Sequence, residues 1–412
     1  MTQPWLQERR ERAARLNTKL PVPTGGEDWR RTNFGRVDLG QFEPLPPVKN
    51  GADQGAASRL LPAKIVLAGE LLYGEQASPP TLDPALLKQG VWLTSLTKAC
   101  EEKKELVGKY LGRGLHGRQE KFLAQNEANW QTGVFLYIPK NTAVELPFLL
   151  TSALAREDSS CFPRLLVVLD QGAKATLLHY SASTNQNKNN FVNGVYEVYL
   201  EEGAELTWID LQNWSRQTYE VAHKRVEVGR NARLKWVIHC QGGKLAKANI
   251  ETVLNGEGAK GEVIGLVEGK DRQHLELCSL THHVAPHTTA DILIKSTADD
   301  RAKIIFQGMI KIEKAAQQTV SYMANHNLVL NDKAHADSIP RLEIEADDVK
   351  ASHGATIGQV DREQMFYLRS KGLDKEKAEA LLVEGFYEDV FGRVPLESVR
   401  EWMRTHLEHP GG

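Results

Sequence analysis

The chain has 412 residues, 41% of them hydrophobic and 25% charged, and its formal net charge is −2. This composition is typical of a globular protein of two or three domains, and the near-neutral charge gives no reason to expect nucleic acid or an anionic membrane as a partner. The cysteines form no CxxC pair, which argues against a disulfide framework and a four-thiolate metal site; they are Cys100, Cys161, Cys240 and Cys278. No apolar run is long enough to span a bilayer, and Arg9-Arg10 precedes mixed charge rather than an export signal, so we expect a cytoplasmic protein.

Residues 1–133 predict a mainly helical N-terminal domain. Apolar residues recur at roughly helical spacing over 1–20 and again over 95–130. Between these stretches, residues 40–60 are rich in proline, glycine and alanine, which is typical of a linker.

A two-residue period begins near residue 134 and predicts a β core domain over 134–358. Between 164 and 340 one unit recurs, in which an apolar alternation is followed by a polar corner ending in alanine and a second alternation, as at 167–178, 198–209 and 226–237. Repeats that cannot bury a face alone predict a solenoid, and such tight corners favour the observed Gly-Ala and Asn-Ala pairs. The alternative is a β-sandwich with Asn-Gly hairpins, but of these copies only 252–264 contains that pair.

The end of the β region carries one histidine in an apolar row. Residues 342–346 alternate apolar and acidic side chains, Asp347-Asp348 predicts a turn, and a second strand follows. One face of that strand is predicted to carry Val349, Ala351, His353, Ala355 and Ile357. A lone histidine on such a face is most often a core residue with satisfied ring nitrogens, and a metal ligand is the alternative.

Residues 359–412 predict a C-terminal helical domain. Asp361 and Asp374 have the spacing of helix N-caps, while Gly372 and Gly392 predict helix ends. The apolar side chains are numerous for so short a segment, so they either dock a partner or pack on the β domain. The residues expected to form a docking surface are Met365, Phe366, Tyr367, Leu368, Arg369, Leu381, Leu382 and Phe386.

Two further motifs have the residue spacing of catalytic or ligand-binding sites. The GxGxxG at 256–261 precedes a predicted strand rather than a helix, so it indicates a β corner and not a dinucleotide site. Cys278, His282, His283 and His287 have metal-ligand spacing, but in a strand Cys278 and His282 face away from the other two, which favours solvated histidines. The sequence contains no P-loop, GxSxG elbow or HExxH motif.

The segment 342–373 resembles the C-terminal signature of the SufB/SufD family of iron–sulfur cluster assembly proteins, and it is closest to the SufD branch. The resemblance is carried by residues 342–344, 346–350, 352–358 and 366–372, with weaker support from 27–32, 128–139 and 325–328. Ala351 stands where many SufD sequences have cysteine, so a role for that thiol is absent here.

This resemblance implies a mainly β fold, with a right-handed parallel β-helix flanked by helical domains. It implies a non-catalytic scaffold subunit that pairs with a SufB-type scaffold and docks a SufC-type ATPase on the C-terminal helices, with a homodimer of the isolated chain left open. His353 would help to hold a transient iron–sulfur cluster at the SufB interface, with no cofactor in the isolated chain. The alternatives are a β-helix polysaccharide lyase or hydrolase, and the sister scaffold SufB, whose expected cysteines are missing here.

Overall fold

The computed structural model describes residues 3–45, 56–61, 65–185 and 187–407. The N-terminal region contains helices, as predicted, with four short strands between them. In chain order its elements are α1 (Pro4–Lys19), α2 (Gly26–Trp29), β1 (Glu43–Pro44), α3 (Ala56–Leu60), β2 (Gly69–Gly74), β3 (Thr81–Leu82), α4 (Pro84–Lys88), β4 (Trp92–Ser95), α5 (Leu96–Glu102), α6 (Lys104–Tyr110) and α7 (Lys121–Asn129). Residues 46–55 of the predicted linker at 40–60 lie outside the described residues.

The β region that follows contains strands of similar length separated by short corners. These strands are β5 (Gly133–Ile138), β6 (Phe148–Leu154), β7 (Ser159–Cys161), β8 (Arg164–Leu169), β9 (Lys174–Ser183), β10 (Asn190–Leu200), β11 (Glu205–Asn213), β12 (Tyr219–Val228), β13 (Arg233–Cys240), β14 (Leu245–Leu254), β15 (Lys260–Gly269), β16 (His274–His283), β17 (Thr289–Ala298), β18 (Lys303–Ile312), β19 (Thr319–Val329), β20 (His335–Ile344) and β21 (Val349–Gln359). Three helices end the described chain, α8 (Arg362–Ser370), α9 (Lys375–Phe391) and α10 (Glu397–Thr405).

The strands form two parallel sheets that the chain visits alternately. From β8 onward, the even-numbered strands pair in the order β8 to β20 in the first sheet, and the odd-numbered strands pair in the order β9 to β21 in the second. Each coil therefore adds one strand to each sheet, which gives a parallel β-solenoid of about 8 turns. The predicted β-helix core is confirmed over the β-sandwich alternative. Strands β2 and β4 of the N-terminal region add to the far ends of the two sheets.

The corners explain the recurrence of small residues. Gly172, Gly203 and Gly258 adopt φ values of 67°, 68° and 72°, and each precedes a corner alanine that is 0% exposed. Glycine takes this left-handed conformation at no steric cost, and alanine is small enough to turn into the core between the sheets. The GxGxxG motif spans such a corner, between β14 and β15, and runs into a strand as predicted.

Helices cover the outer face of each sheet. Aromatic side chains of the N-terminal region, including Phe34 and Phe122, pack against the first sheet near Phe191. Tyr387 of α9 and Trp402 of α10 lie in the cluster that covers the second sheet. The side chains of these helical regions therefore share continuous cores with the solenoid, and the domain divisions at 133 and 358 stay predictions.

The C-terminal helices begin and end where the sequence predicts. The Asp361 side chain accepts hydrogen bonds from the backbone N–H of Glu363 and Gln364, and Asp374 accepts one from Lys377. Gly372, with φ 96°, follows α8. In α9 the buried face contains Ala378, Glu379, Val383, Tyr387, Val390 and Phe391.

Candidate functional site

The final coil leaves the solenoid open at one end. Strands β20 and β21 are the last strands of their sheets, and among the described residues neither pairs with a strand on its outer side. Inward-facing side chains of the second sheet stack in register from coil to coil, and the column ends at the histidine: Leu177, Trp208, Trp236, Val263, Ile292, Met323 and His353. We call this last coil, residues 335–359, the open end.

Apolar side chains at the open end are exposed because no further coil of the described chain covers them. Leu342, Ile344 and Ile357 are 39%, 40% and 52% exposed. By contrast, Ile310 and Ile312, which pair with Leu342 and Ile344 one coil earlier, are fully buried. The open end is therefore a cross-section of the hydrophobic core, bordered by two unpaired strand edges.

His353 lies within this cross-section. Its Cα partner is Met323, which is 1% exposed, whereas His353 itself is exposed. None of the described residues hydrogen-bonds its imidazole. His353 therefore differs from a core histidine with satisfied ring nitrogens, which is the more common case for a lone histidine on an apolar strand face. Ala351, two residues earlier on the same face, packs partly against the core and offers no thiol. The ring nitrogens of His353 are thus available to an external ligand.

The predicted docking residues of the tail divide between exposed and half-buried positions. Helix α8 buries none of its residues, and Phe366, Tyr367 and Leu381 are 75%, 59% and 48% exposed. A shallow cavity of about 370 Å³ between α8 and α9 is lined by Glu363, Gln364, Tyr367, Leu368, Leu381 and Leu382. Met365 and Phe386 are half-buried, and Arg369 is exposed. We call the exposed residues and this cavity the tail surface.

Residues 27–32, the N-terminal box, lie across the outer face of the first sheet. The Lys247 ammonium donates to the Glu276 carboxylate at 2.8 Å and to the Asp28 carbonyl at 2.7 Å, and both charged side chains are 0% exposed. Thr32 donates to Glu276, and the Lys247 Nζ lies 5.0 Å from the Trp29 ring centre. Burial opposes ionisation of Glu276, but Lys247, together with hydrogen bonds from Thr32 and Gln307, outweighs it and lowers the pKa of this carboxyl. The box is therefore a structural anchor that the sequence does not reveal.

The cysteine and histidine residues considered as metal ligands are dispersed. Cys278 lies on the outer face, with its Sγ 3.0 Å from the Lys247 Nζ, and burial raises the pKa of this thiol to about 12. His282 contacts Glu313, while His283 points into the solenoid. The described residues contain no group of three His, Cys, Asp or Glu side chains arranged to hold a metal ion. Cys278 and His282 face away from His283, as predicted, but His283 is fully buried rather than solvated, and His287 lies in the corner after β16 rather than on a strand face.

A buried polar network lies inside the solenoid, and none of its residues is among the predicted site residues. Tyr73 contacts His179 at 2.7 Å, and His179 contacts Asp210 at 3.0 Å, while Lys224 pairs with the same carboxylate. Burial opposes ionisation of Asp210, but Lys224 and His179 outweigh it and lower its pKa to about 2. The sequence does contain a sign of this network, because these polar residues occupy positions that the alternation of the strands directs into the solenoid.

The chain thus combines a β-solenoid whose last strands are uncovered among the described residues with C-terminal helices that expose apolar side chains. The family model described as "SUF system FeS cluster assembly, SufBD core domain" matches residues 151–386, and that of the SufBD protein N-terminal region matches 71–150. The chain belongs to the SufBD family of iron–sulfur cluster assembly proteins. No helix among the described residues has the length and apolar character needed to cross a membrane.

Curated relatives carry the same family name over nearly the whole chain. An iron–sulfur cluster assembly SufBD family protein of Staphylococcus haemolyticus (strain JCSC1435) is 26% identical over 415 residues, covering 97% of this chain and 88% of the relative. Proteins of the same description from Staphylococcus aureus strains MRSA252 and USA300 are 26% identical over 416 residues, with the same coverage.

Proposed function

We propose that this chain is a SufD-type scaffold subunit that pairs with a SufB-type scaffold through the open end. The observation that carries the proposal is the exposed core cross-section formed by Leu342, Ile344 and Ile357. Solenoids normally need a polar capping repeat at each end to stay soluble, and unpaired strand edges invite pairing with another chain. A second solenoid end of the same family would supply both an apolar face and strand edges.

The same surface suits a transient cargo. An exposed imidazole is a ligand that iron accepts, and at the interface His353 would face groups of the partner subunit. A nascent iron–sulfur cluster held by few ligands from two subunits can be released when the interface opens. In this proposal the cluster is the substrate of the assembly, and the isolated chain carries none. The chain itself acts as a non-catalytic component in the cytoplasm.

The tail surface is proposed as the docking site of a SufC-type ATPase. Phe366 and Tyr367 project from a helix without buried residues, and Leu381 borders the adjoining cavity. Exposed apolar patches of this kind mark interaction sites, and an amphipathic helix can lay its apolar face into a groove of a partner. Nucleotide-driven movement of the ATPase would then be transmitted to the scaffold through α8 and α9.

The pairing proposal is tested by the double variant Leu342→Asp/Ile357→Asp. Burying one such side chain contributes about 1.5–3 kcal/mol, so two buried charges should weaken association with a SufB-type partner at least about a hundredfold. Analytical ultracentrifugation of the mixture measures this, and the same run on the chain alone reports any homodimer. The matched control is Val66→Asp/Leu87→Asp, whose wild-type residues are 72% and 59% exposed elsewhere. Unchanged pairing by the first variant, or equal loss in the control, would refute the proposal.

A further inference from the structure

The two long edges of the solenoid carry opposite charge. Corners from the first sheet to the second are mainly acidic, with Glu201, Glu202, Glu257, Glu313 and Glu345 among their residues. Corners from the second sheet to the first are mainly basic. Five successive corners of this second kind each contribute a cation, and we call this row the basic edge: Arg216, Lys244, Arg272, Arg301 and Lys333. The same five corners also contain Asp271, Asp299, Asp300 and Asp332, so the basic edge has an excess of cations rather than a single sign of charge.

The corners of the basic edge are stacked directly on one another. The backbone N–H of Arg301 donates to the Asp271 carbonyl at 2.8 Å, and that of Lys244 donates to the Thr218 carbonyl at 2.7 Å. Adjacent parallel strands lie about 4.8 Å apart, so cations of neighbouring corners repeat at about that interval. The five corners line a groove of about 680 Å³ whose walls are polar or charged.

Several cations in the groove lack an acidic partner. Arg216 pairs with Asp271, and the Asp300 carboxylate accepts the Asp271 backbone N–H at 3.2 Å, so the acids of the groove are engaged locally. Among the described residues, no carboxylate lies within ion-pairing distance of the side chains of Arg272, Arg301 and Lys333, all of which are exposed. These three groups can therefore bind external anionic groups without first breaking a salt bridge.

We propose that the basic edge binds an acidic α-helix of a partner protein, lying along the row of corners and across the strands. Residues three or four apart in a helix rise about 4.5 or 6 Å, which brackets the corner interval, whereas alternate residues of an extended chain are about 6.6–6.8 Å apart. Carboxylates on one helical face would thus meet successive cations. The Asp271 and Asp300 carboxylates interrupt the row of cations, which disfavours a continuous polyanion such as nucleic acid because its phosphates would meet each of them.

The test uses fluorescein-labelled alanine-based peptides and fluorescence anisotropy. One peptide carries glutamates on a single helical face, a second has the same composition with glutamates dispersed around the helix, and a third has glutamine in place of glutamate. We expect saturable binding of the first peptide, weakened by added salt, and at least tenfold weaker binding of the other two. The triple variant Arg272→Glu/Arg301→Glu/Lys333→Glu should lose at least tenfold affinity for the first peptide.

The matched control reverses three exposed lysines elsewhere, Lys19→Glu/Lys88→Glu/Lys104→Glu, and should bind within twofold of wild type. If the basic-edge variant melts more than a few degrees lower, the corresponding glutamine variant replaces it. Absent binding of the first peptide, equal binding of the dispersed peptide, or equal loss in the control would overturn the proposal. Tighter binding of a single-stranded thymidine oligonucleotide would also overturn it, in favour of a nucleic-acid surface.

Discussion

Replacing Lys247 with methionine should destabilise the chain by about 3–5 kcal/mol. The ammonium and the Glu276 carboxylate are 2.8 Å apart and wholly buried, so the variant leaves a carboxylate without a counter-charge inside the protein. The Asp28 carbonyl also loses its donor, which releases the N-terminal box from the first sheet. The loss should therefore be large for a position on the outer face of a strand.

Adding Glu276→Gln to Lys247→Met should restore part of that stability. The amide removes the buried charge while keeping an acceptor for Thr32, so we expect the double variant to lie about 1–2 kcal/mol below wild type. Lys98→Met is the control, because its pair with Glu102 is about half exposed and should contribute less than about 1 kcal/mol.

Equilibrium urea unfolding followed by tryptophan fluorescence measures these differences through the transition midpoint. Trp29 lies 5.0 Å from the Lys247 Nζ, so the signal includes the N-terminal box itself. A single variant as stable as Lys98→Met would refute the anchoring role of this pair. So would a double variant less stable than the single one.

Two further predictions concern the tail and the response to pH. Phe366→Asp/Leu381→Asp should abolish pull-down of a SufC-type ATPase, whereas Leu87→Asp should not; undiminished binding by the double variant would remove the tail surface as docking site. Burial lowers the pKa of His283 from about 6.5 in the unfolded chain to about 4 in the folded chain. Between these two pH values only the unfolded chain binds the proton, so stability falls as pH drops from about 6.5 to 4. Thermal or urea unfolding should show wild type losing about 3 kcal/mol more over that range than His283→Gln; parallel curves would exclude this residue as the cause.

The repeating part of the fold could be predicted because the residues that determine the geometry of each coil lie within the sequence of that coil. Inward alternation and a corner alanine such as Ala173 recur from copy to copy, and local caps such as Asp361 depend on neighbours in sequence. Such features need no knowledge of distant contacts. For the same reason, the alternation around His353 is enough to predict the strand that contains it, which the structure shows as β21.

Contacts between distant parts of the chain could not be predicted. Lys247 has the sequence environment of a solvated strand lysine, and its burial arises from a segment 219 residues away. Helix α9 buries Val383 and Tyr387 against the second sheet, and the sequence of the helix alone does not show which of its faces makes that contact. The exposure of His353 depends on where the solenoid stops, which no local pattern records.

The most direct measurement of the proposed scaffold role compares His353→Ala with wild type in two assays, thermal unfolding of the chain alone and cluster yield in the complex with SufB-type and SufC-type partners. Because His353 is exposed and unbonded among the described residues, its loss should change stability by no more than about 0.5 kcal/mol, while cluster yield falls sharply. Met323→Ala, one coil earlier and buried, should instead cost about 2–5 kcal/mol and shows that the unfolding assay is sensitive. Normal cluster yield per folded complex with His353→Ala would contradict the account, whether or not stability changed.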